Sequence, residues 1–212
     1  MYLPRAFEQA DPRALQALMR AHPLATLVHV GDDGVPQADH VPLLYDASAG
    51  PQGTLRGHVA RANPLWQRLG QGAPVLAVFS GPQAYVTPSW YATKREHGKV
   101  VPTWDYTVVH AHATARAVED AAWLRNFLQR LTAEHEAARP QPWAMSDAPA
   151  DFIDQLLTHI VGIELAVTRL EGKWKVSQNR PAADREGVIE GLRAQGGDEA
   201  AAVATLVREN GP

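Results

Sequence analysis

From residue 24 to residue 118 the sequence is a succession of short β-rich runs separated by turns, with few helical stretches among them. No other feature constrains the fold as strongly. LATLVHV (24–30) and PQADHVPLLYD (36–46) flank GDDGV, a good hairpin turn. GTLRGHVA (53–60) is a third strand. APVLAVFSG (73–81) reads as a buried strand and QAYVTP (83–88) as another, before the long run TWDYTVVHAHATARAV (103–118). Short strands joined by hairpins in this number point to a closed or partly closed antiparallel barrel.

Helices punctuate and follow the strands. DPRALQALMRAHP opens with an Asp cap and a Pro, sets Leu15, Leu18 and Met19 on one face, and stops at Pro23. NPLWQRLGQG is a short helix with an Asn cap, Pro at its first position and Gly at its end. YATKREHGKV, charged and Gly-containing, reads as a loop. Helices are expected at DAAWLRNFLQRLTAEHEA and APADFIDQLLTHI, a last strand pair at GIELAVTRLEG and KWKVSQ, and closing helices at ADREGVIEGLRAQ and DEAAAVATLVREN. The last strands must return to the sheet. The expectation is one α+β domain over residues 1–195 and a helical tail over 196–212.

Composition narrows the chemistry. The formal net charge is −3 and the pI about 6.3, which argues against a protein whose main task is gripping phosphodiester backbone. The absence of cysteine excludes disulfides, zinc–thiolate sites, iron–sulfur clusters and thiol catalysis. MYLPRAFEQADPRALQ has no apolar stretch of signal-peptide length, and no run of about 18 apolar residues occurs, so neither a leader nor a membrane span is expected. A cytoplasmic protein is the expectation.

Several candidate sites carry little weight. His110 and His112 share one strand face, but spacing marks no third ligand, so no metal is expected. Ser89 and Asp105 with a histidine would make a triad, yet TPSWY lacks the Gly-x-Ser-x-Gly elbow. There is no phosphate-binding Walker loop and no Gly-x-Gly-x-x-Gly fingerprint. Asp32 and Asp33 sit in a turn, where Asp is common.

TLRGHVARANPLW (54–66) is stronger. Strand alternation puts Arg56 and His58 on one face, with Arg61 just beyond the strand end and Asn63 capping the next helix. A helix N-terminus beside an arginine is a ready anion site, because free N–H donors converge there with the positive end of the dipole. Equally open is the plain alternative, Asn63 as a cap and Arg61 as a surface cation. A second dense stretch, GKWKVSQNRPAADREGV, crowds Lys173, Lys175, Ser177, Gln178, Asn179 and Arg180 at a strand end. It serves either a turn, a ligand or a dimer interface.

Five long strings, MYLPRAFEQ, GTLRGHVARANPLW, GPQAYVTPSWY, HGKVVPTWDYTVVHAHA and LEGKWKVSQNRPAADREGVIEGL, together resemble the PaiB-type family of FMN-binding negative transcriptional regulators. The resemblance runs in order from residue 1 to about residue 193. It implies an FMN-binding split barrel similar to the pyridoxamine phosphate oxidase fold, working as a homodimer with the flavin between subunits. By position the resemblance places the phosphate at Arg61 and Asn63, although the Ser-Arg-Lys run of the oxidases is not reproduced. It also makes Arg56, His58, Gln178 and Arg180 cofactor candidates, sets Asp39, His40 and Val41 beside the isoalloxazine ring, and offers Trp90, Tyr91 and Trp104 as aromatic faces that either stack on a ring or fill the dimer seam.

The function the resemblance implies is negative regulation of transcription, directly on DNA or through a protein partner. No helix-turn-helix supports direct binding. Two alternatives stay open: an FMN-dependent oxidoreductase using a nicotinamide or small substrate, and a barrel holding haem or a deazaflavin, with His58 as an axial ligand.

Overall fold

The computed structural model describes residues 1–211, Gln71 by its backbone alone. The chain is mixed α+β. Its strands are β1 (Glu8–Gln9), β2 (Leu24–Val30), β3 (Pro36–Pro42), β4 (Leu44–Asp46), β5 (Thr54–Ala60), β6 (Gln71–Val86), β7 (Thr103–Val118) and β8 (Ile160–Lys175). They form one sheet in the order β3-β2-β6-β7-β8-β5-β4, with β1 paired to β8, and the sheet does not close on itself. The helices are α1 (Pro12–Ala21), α2 (Leu65–Leu69), α3 (Thr93–His97), α4 (Ala121–Glu136), α5 (Ala150–Leu157), α6 (Ala182–Gln195) and α7 (Asp198–Glu209).

Local chemistry accounts for the elements. The β2–β3 hairpin pairs Leu24 with Pro42 through Val30 with Pro36, and its turn closes by Gly31 N–H donating to Val35 O at 2.8 Å, with Gly34 at φ +77°. Asp11 caps α1 through the Arg13 N–H at 3.0 Å, and Leu15, Leu18 and Met19 are buried together as the spacing requires. Asp120 does the same for α4 at the Trp123 N–H.

Four expectations are corrected. APVLAVFSG and QAYVTP are halves of the single strand β6, and the expected last strand pair is the single strand β8. PQADHVPLLYD is two strands, β3 and β4, broken where the Leu43 N–H donates to Pro23 O at 2.9 Å. The stretch read as a loop holds α3, ended by Gly98 at φ +66°.

The residues group into two compact units, through both of which β6, β7 and β8 run. One comprises Met1–His22, Phe79–His110 and 171–211. In it α7 packs on α6, burying Ala200, Val203, Ala204 and Val207. The expected C-terminal helix therefore exists; Pro212 lies outside the described residues. The other unit comprises Pro23–Val78 and Ala111–Leu170. There Leu124, Ile153 and Leu157 form a small core with Trp123 and Ile160.

Candidate functional site

In the unit of Pro23–Val78 and Ala111–Leu170, β5 ends at Ala60 and the chain turns through Arg61–Pro64 into α2. The turn is held from both sides. Arg61 N–H donates to His159 O at 2.8 Å, and the Trp66 indole N–H donates back to Arg61 O at 2.9 Å. The Arg61 guanidinium lies 5.6 Å from the Trp66 ring centroid. Its Nε donates to Thr158 O at 2.9 Å, Nη2 to Ile160 O at 3.4 Å, and Nη1 to the half-exposed Glu119 carboxylate at 2.7 Å. A guanidinium carries five N–H donors, so these bonds leave two for a ligand.

Asn63 is tied more tightly. Its carbonyl oxygen accepts the Leu65 N–H at 2.9 Å, while its amide donates to Asp39 at 2.8 Å. The other Asp39 oxygen lies 3.2 Å from Nε2 of buried His29. The helix that follows has only five residues, and Gln67 and Arg68 N–H both turn to Pro64 O. The free donors of this junction therefore belong to the arginine side chain rather than to the helix end.

The two free N–H groups of Arg61 are of the kind that suits a phosphate oxygen. Arg61 is half-buried, pinned in direction by two carbonyls, and already carries an oxyanion, Glu119, at charge-assisted distance. A cavity of about 360 Å³ lies against it, lined by Leu124, Leu157, Thr158 and two carboxylates, Glu119 and Asp154, with Arg61 as the cation among its lining residues.

The neighbouring candidates have other employment. Arg56 is committed to two carboxylates, Asp46 at 2.7 Å and Glu164 at 3.0 Å. The hydroxyl of Ser48 together with Arg56 holds the Asp46 carboxyl well below the usual range. Burial would raise Glu164, yet hydrogen bonds from Arg56 and Arg116 outweigh it and keep that carboxyl low as well. The His58 ring meets Phe127 edge-on at 6.0 Å, and burial pushes its pKa down. On β3, Asp39 and Val41 face inward and His40 outward, so the three do not converge. Val41 is core, close against Gly57.

Trp104, Gln178 and Arg180 belong to the other unit. Gln178 closes its own turn, accepting from Val176 N–H at 2.8 Å and donating to Trp174 O at 2.6 Å. Inside that turn Ser177 sits at φ +60°, a conformation costing roughly 1–2 kcal/mol. Its hydroxyl donates to Asp105 at 2.6 Å, and a bond to a charged partner contributes about 1.5–3 kcal/mol, enough to hold it there. Asp105 is 0% exposed, and burial raises its pKa against the opposing influence of Ser177 and Lys175. Arg180 lies over the buried Tyr91 ring at 4.7 Å. Trp90 packs against Gly187 and Gly191 of α6, and is structural.

Trp104, half exposed, lines a cavity of about 520 Å³ with Tyr2, Gln83, Tyr106 and Lys173. Lys173, only 9% exposed, donates to Tyr2 O at 3.1 Å and lies 5.7 and 5.4 Å from the Tyr2 and Tyr106 centroids. Sequence reasoning placed Lys173 in a dense stretch but missed its aromatic partners, which lie 171 residues away in one case. It also missed His29, whose role depends on the cross-strand Asp39.

Residues 1–169 match the family described as "Putative FMN-binding domain". An uncharacterised protein of Aspergillus fumigatus is 35% identical over the whole chain and 98% of its own length. "Protease synthase and sporulation protein PAI 2" of Bacillus subtilis is 30% identical over 99% of this chain and 97% of its own. Among solved structures, the FAD and heme binding protein of Mycobacterium smegmatis superposes with a TM-score of 0.56 at 17% identity, covering 79% of this chain and 73% of that one. That last likeness is one of fold, and it agrees with the expected split barrel.

Proposed function

The chain belongs to the FMN-binding-domain family that its first 169 residues match, and from that premise we propose that it is a PaiB-type flavoprotein: a cytoplasmic homodimer that holds FMN and lowers transcription of target genes. FMN is the cofactor this family membership assigns. The observation that carries the regulatory reading is the likeness to PAI 2, which spans 99% of the chain rather than a domain of it.

Arg61 would hold the phosphate with its two remaining N–H groups, and Asn63 would keep the turn in shape through Leu65 and Asp39. When bound, FMN supplies a reversible hydride and electron acceptor. The chain's own residues bind and orient it: the Thr158 and Ile160 carbonyls and the Glu119 carboxylate keep the guanidinium aimed. Regulation through a protein partner suits a net charge of −3 better than a direct grip on DNA, whose affinity rests on cationic contacts to phosphate.

Transcript profiling of a strain lacking the chain, complemented by wild type or by Arg61→Ala, tests this. Target transcripts should rise on loss, fall back with wild type, and stay high with Arg61→Ala. An unchanged transcript profile on loss would remove the regulatory role.

A further inference from the structure

The unit of Met1–His22, Phe79–His110 and 171–211 contains a second cavity, of about 570 Å³, walled by α1 and α7. Its size falls within the usual range for small-molecule sites, roughly 300–1,000 Å³. The walls are small: Ala14, Ala17 and Ala21 from α1 and Ala202 from α7. Larger side chains there would fill the space above Leu18 and Trp174, which also line it.

Thr107 of β7 lines the same cavity and also the one beside Trp104. It is 2% exposed, and its hydroxyl has no hydrogen-bond partner. Strand alternation turns it toward the face of buried Asp105 and Val109, away from Trp104 and Tyr106. Opposite it stands Gly81, where any Cβ would collide with the hydroxyl and with Leu18. A buried hydroxyl left unpaired is destabilising, and native interiors seldom tolerate one without a partner. The ionisable lining groups are His22, half-buried, and Glu209, exposed. A charged ligand would therefore find no buried counter-ion.

We propose that this cavity is a binding site for a small neutral organic molecule with an apolar body and a single hydroxyl or carbonyl group, which pairs with Thr107. The apolar body lies against the alanines and Trp174. The site is independent of the Arg61 junction, and its occupant is an effector rather than the flavin.

Phenol and toluene, alike in shape and differing by one hydroxyl, are the test pair, titrated into the flavin-loaded protein carrying ¹³C-methyl alanine. Saturable shifts should appear at Ala14, Ala17, Ala21 and Ala202, with phenol the tighter ligand. Thr107→Val should weaken phenol about three- to tenfold and leave toluene as tight or tighter. Ala17→Phe, at an exposed position on the wall, should abolish both while flavin binding is unchanged. The proposal is overturned by shifts that do not saturate, by equal effects of Thr107→Val on both probes, or by binding that survives Ala17→Phe. It is overturned too if the same methyls respond to protein concentration alone, which would assign the face to a second copy.

Discussion

Arg56 and Arg61 lie five residues apart, the first within β5 and the second just past its end, and their partners separate their roles. Arg56 is closed off by Asp46 and Glu164, the latter 108 residues away, so no local spacing could have told it from a ligand-binding arginine. Arg61 faces a single carboxylate, Glu119, and its other partners are neutral backbone carbonyls, so its charge is not doubly compensated as that of Arg56 is. His58 is likewise decided by burial that its sequence neighbourhood does not show: Phe127 comes from a helix far along the chain. Its folded pKa lies below the ordinary 6.5. Between the two values the unfolded chain takes up a proton that the folded chain refuses. Stability is thus fully present above about pH 6.5 and is lost as the pH falls through that value. Denaturant midpoints measured from pH 7.5 to 5.5 should drop in wild type, by at most about 1.4 kcal/mol per pH unit for this group. His58→Gln should flatten the slope; identical slopes in the two proteins would contradict the assignment.

At the scale of elements, hairpins and caps were legible and glycines were not. The GDDGV hairpin and the Asp11 and Asp120 caps are local signals, and each forms where the residues indicate. Gly81 and Gly172 read as chain breaks because glycine usually marks turns. Here they lie mid-strand and admit close neighbours, Thr107 and Leu18 over the first, Leu15 and Gln9 over the second. That distinction depends on tertiary packing, which one sequence does not display. Gly191 in α6 is the same device in a helix, with the Trp90 ring resting on it. Helix propensity alone would favour Gly191→Ala by about 1 kcal/mol. The added methyl overlaps the indole, and overpacking of this kind costs typically 1–3 kcal/mol. Urea denaturation should therefore show Gly191→Ala to be less stable than wild type by up to about 2 kcal/mol. A gain in midpoint would show that Trp90 moves aside freely.

For the molecule as a whole, the sequence carried the family and an antiparallel sheet, expected closed or partly closed and found open, but not the assembly. Tyr85 and Trp104, 48% and 50% exposed, form an edge-to-face pair at 6.0 Å on the surface of their unit. A paired aromatic surface of this kind suits a subunit interface better than water. Light scattering should return twice the chain mass of 23.1 kDa, and Trp104→Arg should return a single one; a wild-type monomer at micromolar concentration would remove the dimer. We propose that FMN is held through its phosphate at Arg61. Quenching of flavin fluorescence measures it directly, with FMN and riboflavin titrated into wild type, Arg61→Ala and Glu119→Gln. Losing a charge-assisted bond of about 1.5–3 kcal/mol should weaken FMN roughly ten- to a hundredfold in Arg61→Ala and leave riboflavin unchanged. Glu119→Gln, which removes a negative charge beside the phosphate, should bind FMN at least as tightly as wild type. Arg61→Ala binding FMN as well as wild type, or losing riboflavin equally, would contradict the claim.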